Sequence, residues 1–124
     1  MVKKHTVLLV EDDESYRYAL GKALEGAGCE VVEVGDYSAA LGILESDRTI
    51  DLMVTDVVLP QVHGFFLARL AVVRRPHLSI MYMSAFDNLP RHEMDFGFGR
   101  FLRKPDDMSE LVAAVKAELE RLPK

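Results

Sequence analysis

Val7-Leu8-Leu9-Val10-Glu11-Asp12-Asp13 is an unbroken apolar run that stops on three consecutive carboxylates. Four apolar residues without alternation are what a strand shows when both of its faces are covered, and charges just past it must lie where water or a partner can reach them. Two more runs share this design: Leu52-Met53-Val54-Thr55 ends on Asp56, and Ser79-Ile80-Met81-Tyr82-Met83 ends on Ser84. Val31-Val32-Glu33-Val34 and the short Phe101-Leu102, which Lys104 follows, complete a set of five. Longer stretches of helical or mixed pattern separate them, and such alternation predicts an α/β fold with a parallel sheet and crossover helices. The first, third and fourth runs are the most apolar and are expected at its centre.

Between the runs, Tyr16, Ala19, Leu20, Ala23, Leu24 and Ala27 recur at spacings of three and four, and Gly28 supplies a stop, so a helix is predicted from about Glu14 to Ala27. Leu41 and Leu44 anchor a second, and Phe66, Leu67, Leu70 and Val73 a third. A last helix carries Leu111, Val112, Val115, Leu119 and Leu122, with Lys116, Glu118, Glu120 and Arg121 on its exposed side. Between Ser84 and Arg100, Pro90, Gly97 and Gly99 weaken the pattern, and the fourth helix is expected to be short or distorted.

The 124 residues, 49% hydrophobic and 28% charged, suit one self-sufficient core, so a single domain over residues 1–124 is expected. A net charge of -5 gives binding to nucleic acid no electrostatic support. Cys29 is the single cysteine, which excludes an internal disulfide and a paired-cysteine zinc site and suits a reducing compartment. The first apolar run is too short for a signal peptide or a membrane span, so a cytoplasmic protein is expected.

In open parallel sheets, chemistry gathers beyond the carboxyl ends of the strands, where Glu11, Asp12, Asp56, Ser84 and Lys104 would meet. Carboxylates brought together raise one another's pKa unless a cation intervenes, and hard oxygen ligands with places left for water suit Mg²⁺. Taken one at a time, acids at strand ends are ordinary caps and turn formers. Asp56 is less ordinary, because Leu52-Met53-Val54 precede it and Val57-Val58-Leu59-Pro60 follow. A carboxylate in such surroundings is a candidate for a task.

Val10-Glu11-Asp12-Asp13, Asp56-Val57-Val58-Leu59-Pro60 with Gly64, Ser84-Ala85 and Lys104-Pro105 together resemble the receiver domain of bacterial response regulators in two-component signalling. The resemblance spans nearly the whole chain. It implies a flavodoxin-like fold: a five-stranded parallel sheet in the order 2-1-3-4-5 with five helices. It further implies that Asp56 is the phosphoryl acceptor, supplied by a histidine kinase or a histidine phosphotransfer protein. Asp12 would bind Mg²⁺ directly and Glu11 mainly through water, with one oxygen of Asp56 and the backbone carbonyl of Val58 completing the protein's share. Lys104 would pair with Asp56 before transfer and with a phosphoryl oxygen afterwards, its direction set by a cis bond at Pro105. Ser84 would donate its hydroxyl to the phosphoryl group, and Phe101 would follow it inward as the switch. The module would be a phosphorylatable signalling domain that assists its own transfer and hydrolysis. Self-association into a homodimer and the identity of a downstream protein target stay open.

The pattern departs from the family at His63, read as a solvated loop residue, and at Pro90, which puts the family's usual output face in doubt. Val58 and Phe86 are expected to flank the site and exclude water, and Phe96 and Phe98 to be core plugs or an exposed patch. A haloacid-dehalogenase-like phosphatase also uses an aspartyl nucleophile and Mg²⁺, but it wants a second Asp where Val58 stands. An unphosphorylated scaffold and a nucleotide-binding flavodoxin-like protein are further alternatives. The complete acidic set argues against the first, and the lack of a Gly-rich loop after the first strand against the second.

Overall fold

The computed structural model describes residues 4–57, 59, 64–84, 99–104 and 108–122. In chain order these form β1 (Thr6–Val10), α1 (Glu14–Gly26), β2 (Glu30–Val34), α2 (Tyr37–Glu45), β3 (Leu52–Asp56), α3 (Gly64–Arg74), β4 (Ser79–Ser84), β5 (Gly99–Arg103) and α4 (Met108–Glu120). The sheet is parallel throughout, in the order β2-β1-β3-β4-β5. The apolar runs thus sit where they are expected, with β1, β3 and β4 inside and β2 and β5 at the edges. The helix expected between Ser84 and Arg100 falls on residues 85–98, outside the described residues.

Successive residues of a strand point to opposite faces, so each inner strand feeds two cores. Leu8, Val10, Met53, Ile80 and Tyr82 pack on one side against Ala40 and Leu44 of α2 and Leu67, Ala68 and Ala71 of α3. Val7, Leu9, Leu52, Val54, Met81 and Met83 pack on the other against Leu20 and Leu24 of α1 and Leu111, Val115 and Leu119 of α4. Every residue of β1 and β3 is buried, whereas β2 exposes Glu30 and Glu33 as an edge strand can.

The helix faces were only partly legible. In α1, Ala19 is exposed and Gly21 is buried instead, because a Cβ at Gly21 would meet the Glu33 carboxylate. In α3 the inward face is Gly64, Phe65, Leu67, Ala68 and Ala71, while Phe66 is 46% and Val73 77% exposed. This helix is apolar nearly all round, so periodicity selects no unique face. The small Gly64, Ala68 and Ala71 settle the matter by letting the helix lie close on the sheet.

The turn into α1 is set by Asp13, whose Oδ1 accepts from the Tyr16 amide at 3.0 Å as N-cap, and Gly28 ends the segment in the left-handed region at φ 98°. Asp13→Ala is expected to cost about 1 kcal/mol, lowering the melting temperature by roughly 3–6 °C. Asp13→Ser should restore most of it in a thermal melt. Equal stability of all three chains would dismiss the cap.

Candidate functional site

The order reverses between β1 and β3, and a crevice opens beyond their carboxyl ends. Val10 pairs with Thr55, so Glu11 and Asp56, the next residue of each, stand level on adjacent strands. Backbone bonds carry the register past the strand ends: Glu11 N donates to Val34 O at 3.1 Å, Val57 N to Met83 O at 2.9 Å and Lys104 N to Ser84 O at 2.7 Å. The start of α3 returns to the same place, with Gly64 N donating to Val57 O at 2.6 Å. A Cβ on Gly64 would collide with the Asp56 backbone carbonyl.

Glu11, Asp12 and Asp56 bring carboxylate oxygens within 4.8 Å of one another, with Asp12 exposed and the other two buried. Glu11 is 0% and Asp56 4% exposed. Lys104 Nζ donates to Asp56 Oδ1 at 2.7 Å and also forms an ion pair with Glu11 Oε1. The sequence pointed to the first of these partners and not to the second. Glu11 Oε2 accepts from the Asp13 amide at 3.0 Å, whereas Asp56 Oδ2 is buried with no hydrogen-bond partner among the described residues.

Two buried carboxylates and one ammonium leave an excess of negative charge, and the titration behaviour follows. Burial pushes the Asp56 carboxyl up to about 8; the neighbouring Glu11 carboxylate adds to the rise and Lys104 opposes it. Glu11 moves the other way: burial would raise it, but the neighbouring Asp56 carboxyl, the Lys104 ammonium and the Asp13 amide together hold it below its usual range. Burial disfavours the Lys104 ammonium, yet its two carboxylate partners keep its pKa above the ordinary value. An orphaned carboxylate oxygen beside two further carboxylates is a donor set of hard oxygens short of positive charge, which fits a small divalent cation such as Mg²⁺.

Two contributors escaped the sequence reading. Arg17 Nη1 donates to the Glu11 backbone carbonyl at 2.9 Å, and its Nε lies 3.9 Å from Glu33 Oε1, so this side chain ties the loop after β1 to the edge strand. Tyr16, read as a helix core residue, places its ring under the Lys104 ammonium, with 4.6 Å from Nζ to the ring centroid. Its aromatic ring and polar tip, at a position where an aliphatic residue would serve a core equally well, were the available signal.

Ser84 ends β4 at 4% exposure, opposite Arg103 of β5. Phe101 is half-buried against the core on the α2 and α3 side, opposite Tyr82. Tyr82 meets Phe65 edge to face at 4.9 Å, and its hydroxyl is buried without a partner among the described residues. Burial pushes that phenol up to about 12. Val58, His63, Phe86, Pro90, Phe96, Phe98 and Pro105 lie outside the described residues.

The family model for the response regulator receiver domain matches residues 7–116. The sensor kinase CckA of Brucella abortus is 35% identical over 123 residues, a match that covers 94% of this chain and 13% of the kinase. The transcriptional regulatory protein FixJ of Azorhizobium caulinodans is 30% identical over 119 residues, covering 93% of this chain and 55% of FixJ. The chain therefore spans 13% of the one and 55% of the other. Among solved structures, the receiver domain of the hybrid histidine kinase CckA superposes with a TM-score of 0.77 at 32% identity, covering 92% of this chain and 98% of that one. A response regulator receiver protein from Sinorhizobium medicae gives a TM-score of 0.85 at 28% identity, covering 98% of each chain. Among the described residues, no helix is long and apolar enough to cross a membrane.

Proposed function

The chain belongs to the response regulator receiver domain family, phosphoacceptor modules of two-component signalling, and on that premise we propose that Asp56 is its acceptor. The observation that carries the assignment is the Asp56 carboxylate itself: buried, one oxygen on the Lys104 ammonium, the other unpartnered among the described residues. Such a group is a poor resident of an apolar strand end and a good nucleophile once its charge is balanced.

Glu11, Asp12, Asp56 and the backbone carbonyl of Val58 would hold Mg²⁺, which when bound would supply positive charge opposite the phosphoryl oxygens. The chain's own residues do the rest. An Asp56 oxygen attacks phosphorus; the bond from phosphorus to the donor's imidazole nitrogen breaks, and that nitrogen keeps the electron pair. Lys104 then pairs with one oxygen of the transferred phosphoryl group, and the Ser84 hydroxyl donates to another. Phe101 moves with Ser84, and Pro105 sets the direction of the lysine. Contacts that exist only in the phosphorylated form bias a two-state equilibrium, and about 2–3 kcal/mol of preference shifts populations some 30- to 150-fold.

The donor would be a cytoplasmic histidine kinase or histidine phosphotransfer protein, and the reader of the switched surface a protein, a second copy of the chain included. Residues 1–124 act as one module in this scheme, and Val58 and Phe86 shield the acyl phosphate from water.

The direct test is incubation with acetyl phosphate, with and without Mg²⁺, followed by intact mass and tryptic mapping. One phosphoryl group on the peptide that contains Asp56, formed only with the divalent ion, is the expected result. Label on another residue, or equal labelling without metal, would refute the assignment.

A further inference from the structure

Tyr16 is the third residue of α1, and Asp13 fixes its amide at 3.0 Å, so the backbone beneath the ring is locked by the helix cap. The ring is half-buried, packed against the core on the α1 and α4 side. Lys104 comes from the far edge of the sheet, after β5, and reaches the same point on a flexible stem. Its ammonium therefore has Asp56 and Glu11 as anionic partners and the Tyr16 ring, 4.6 Å away, as a third neighbour. The Tyr16 hydroxyl is buried with no partner among the described residues, so what the residue offers the lysine is its ring face.

We infer that Tyr16 is a positioning residue for Lys104: its ring seats the ammonium so that the lysine can turn from the carboxylates to the incoming phosphoryl group without losing its surroundings. The inference rests on Asp56 being the acceptor. The two carboxylates hold Lys104 by directed bonds, and a lysine that stays with Glu11 is unavailable to a phosphoryl oxygen. An aromatic face attracts a cation without taking up any of its three N–H donors in a fixed direction. The ammonium can pivot above it while its stabilisation persists. An aliphatic residue of similar bulk would fill the same space and provide none of this.

The experiment compares the native chain, Tyr16→Phe, Tyr16→Leu, Lys104→Met and the Tyr16→Leu/Lys104→Met double variant. The rate of Asp56 labelling by acetyl phosphate with Mg²⁺ is measured alongside Mg²⁺ affinity by calorimetry. Tyr16→Phe keeps the ring and is expected to label within about twofold of native, whereas Tyr16→Leu should be slower by about 3- to 30-fold, the range a cation–π contact spans. Mg²⁺ affinity should be unchanged in both. In the Lys104→Met background, Tyr16→Leu should add no further slowing. A second readout needs no activity: the Lys104 ε-methylene protons should be shifted upfield by the ring current in the native chain and in Tyr16→Phe, and move downfield in Tyr16→Leu. Native labelling speed in Tyr16→Leu, equal slowing by Phe and Leu, or an undiminished effect without Lys104 would each overturn the inference. Label on Asp56 combined with any of these removes Tyr16 alone; no label on Asp56 of the native chain removes the acceptor assignment and this inference with it.

Discussion

Asp56→Asn is expected to abolish labelling by acetyl phosphate and, in the same molecule, to raise the thermal stability of the metal-free chain. The first effect follows from replacing the proposed carboxylate nucleophile by an amide. The second follows from where the carboxylate sits. Its pKa in the folded chain is about 8 against an ordinary value of 3.8, so folding favours the protonated form. The stability this contributes is fully present below about pH 4 and is lost as pH rises through 8. Asn keeps a neutral side chain of the same shape at every pH, so the gap between the two melting temperatures should widen over that window and then level off. At pH 8 the variant should melt roughly 5 °C or more above the native chain. Excess Mg²⁺ should narrow the gap, because a ligand that binds the folded native chain stabilises it by mass action. Melting curves at half-unit pH steps, with and without the metal, provide the check. A metal-free native chain that gains stability between pH 4 and 8 would contradict the argument.

Gly64→Ala is the other large effect, and it acts on the same carboxylate through the backbone. The added methyl would strike the Asp56 carbonyl and press on Val57 Cα, and neither is the free end of a side chain that can swing away. The helix start must lift off the strand, stretching the Gly64 N to Val57 O bond and disturbing the site from beneath. Overpacking of this kind costs about 2–4 kcal/mol, which lowers the melting temperature of a domain this size by roughly 10 °C. Mg²⁺ affinity, measured by calorimetry below the transition, should weaken about tenfold as Asp56 is displaced. A melting temperature within about 2 °C of native would show that the helix yields freely.

The strands were legible because burial on both faces leaves an unbroken apolar signature, seen in Val7-Leu8-Leu9-Val10 and Leu52-Met53-Val54. The α3 face was not, since periodicity cannot choose a side on a helix with Phe65, Phe66, Leu67, Val72 and Val73 all apolar. At the site, Glu11, Asp12, Asp56 and Lys104 were legible as strand-end polar residues, and the fold gathers them. The share each takes of the lysine was not, because Glu11 and Asp56 are 45 residues apart and their competition exists only in three dimensions. Arg17 and Tyr16 stayed hidden for a related reason. On a one-dimensional pattern they are ordinary members of an amphipathic helix, and only the geometry shows one holding a backbone carbonyl and the other lying under an ammonium.

The backbone bonds beyond the strand ends lace Glu11 to Val34 on one side of the crevice and Val57 to Met83 and Lys104 to Ser84 on the other, and the pairing of Val10 with Thr55 joins the two halves. A new covalent group on Asp56 cannot be accommodated by letting its own strand slide, because each loop is bolted to the next strand along. Under the proposed phosphorylation, strain at that anchor would pass from Val57 to β4 and from Ser84 to the start of the loop after β5.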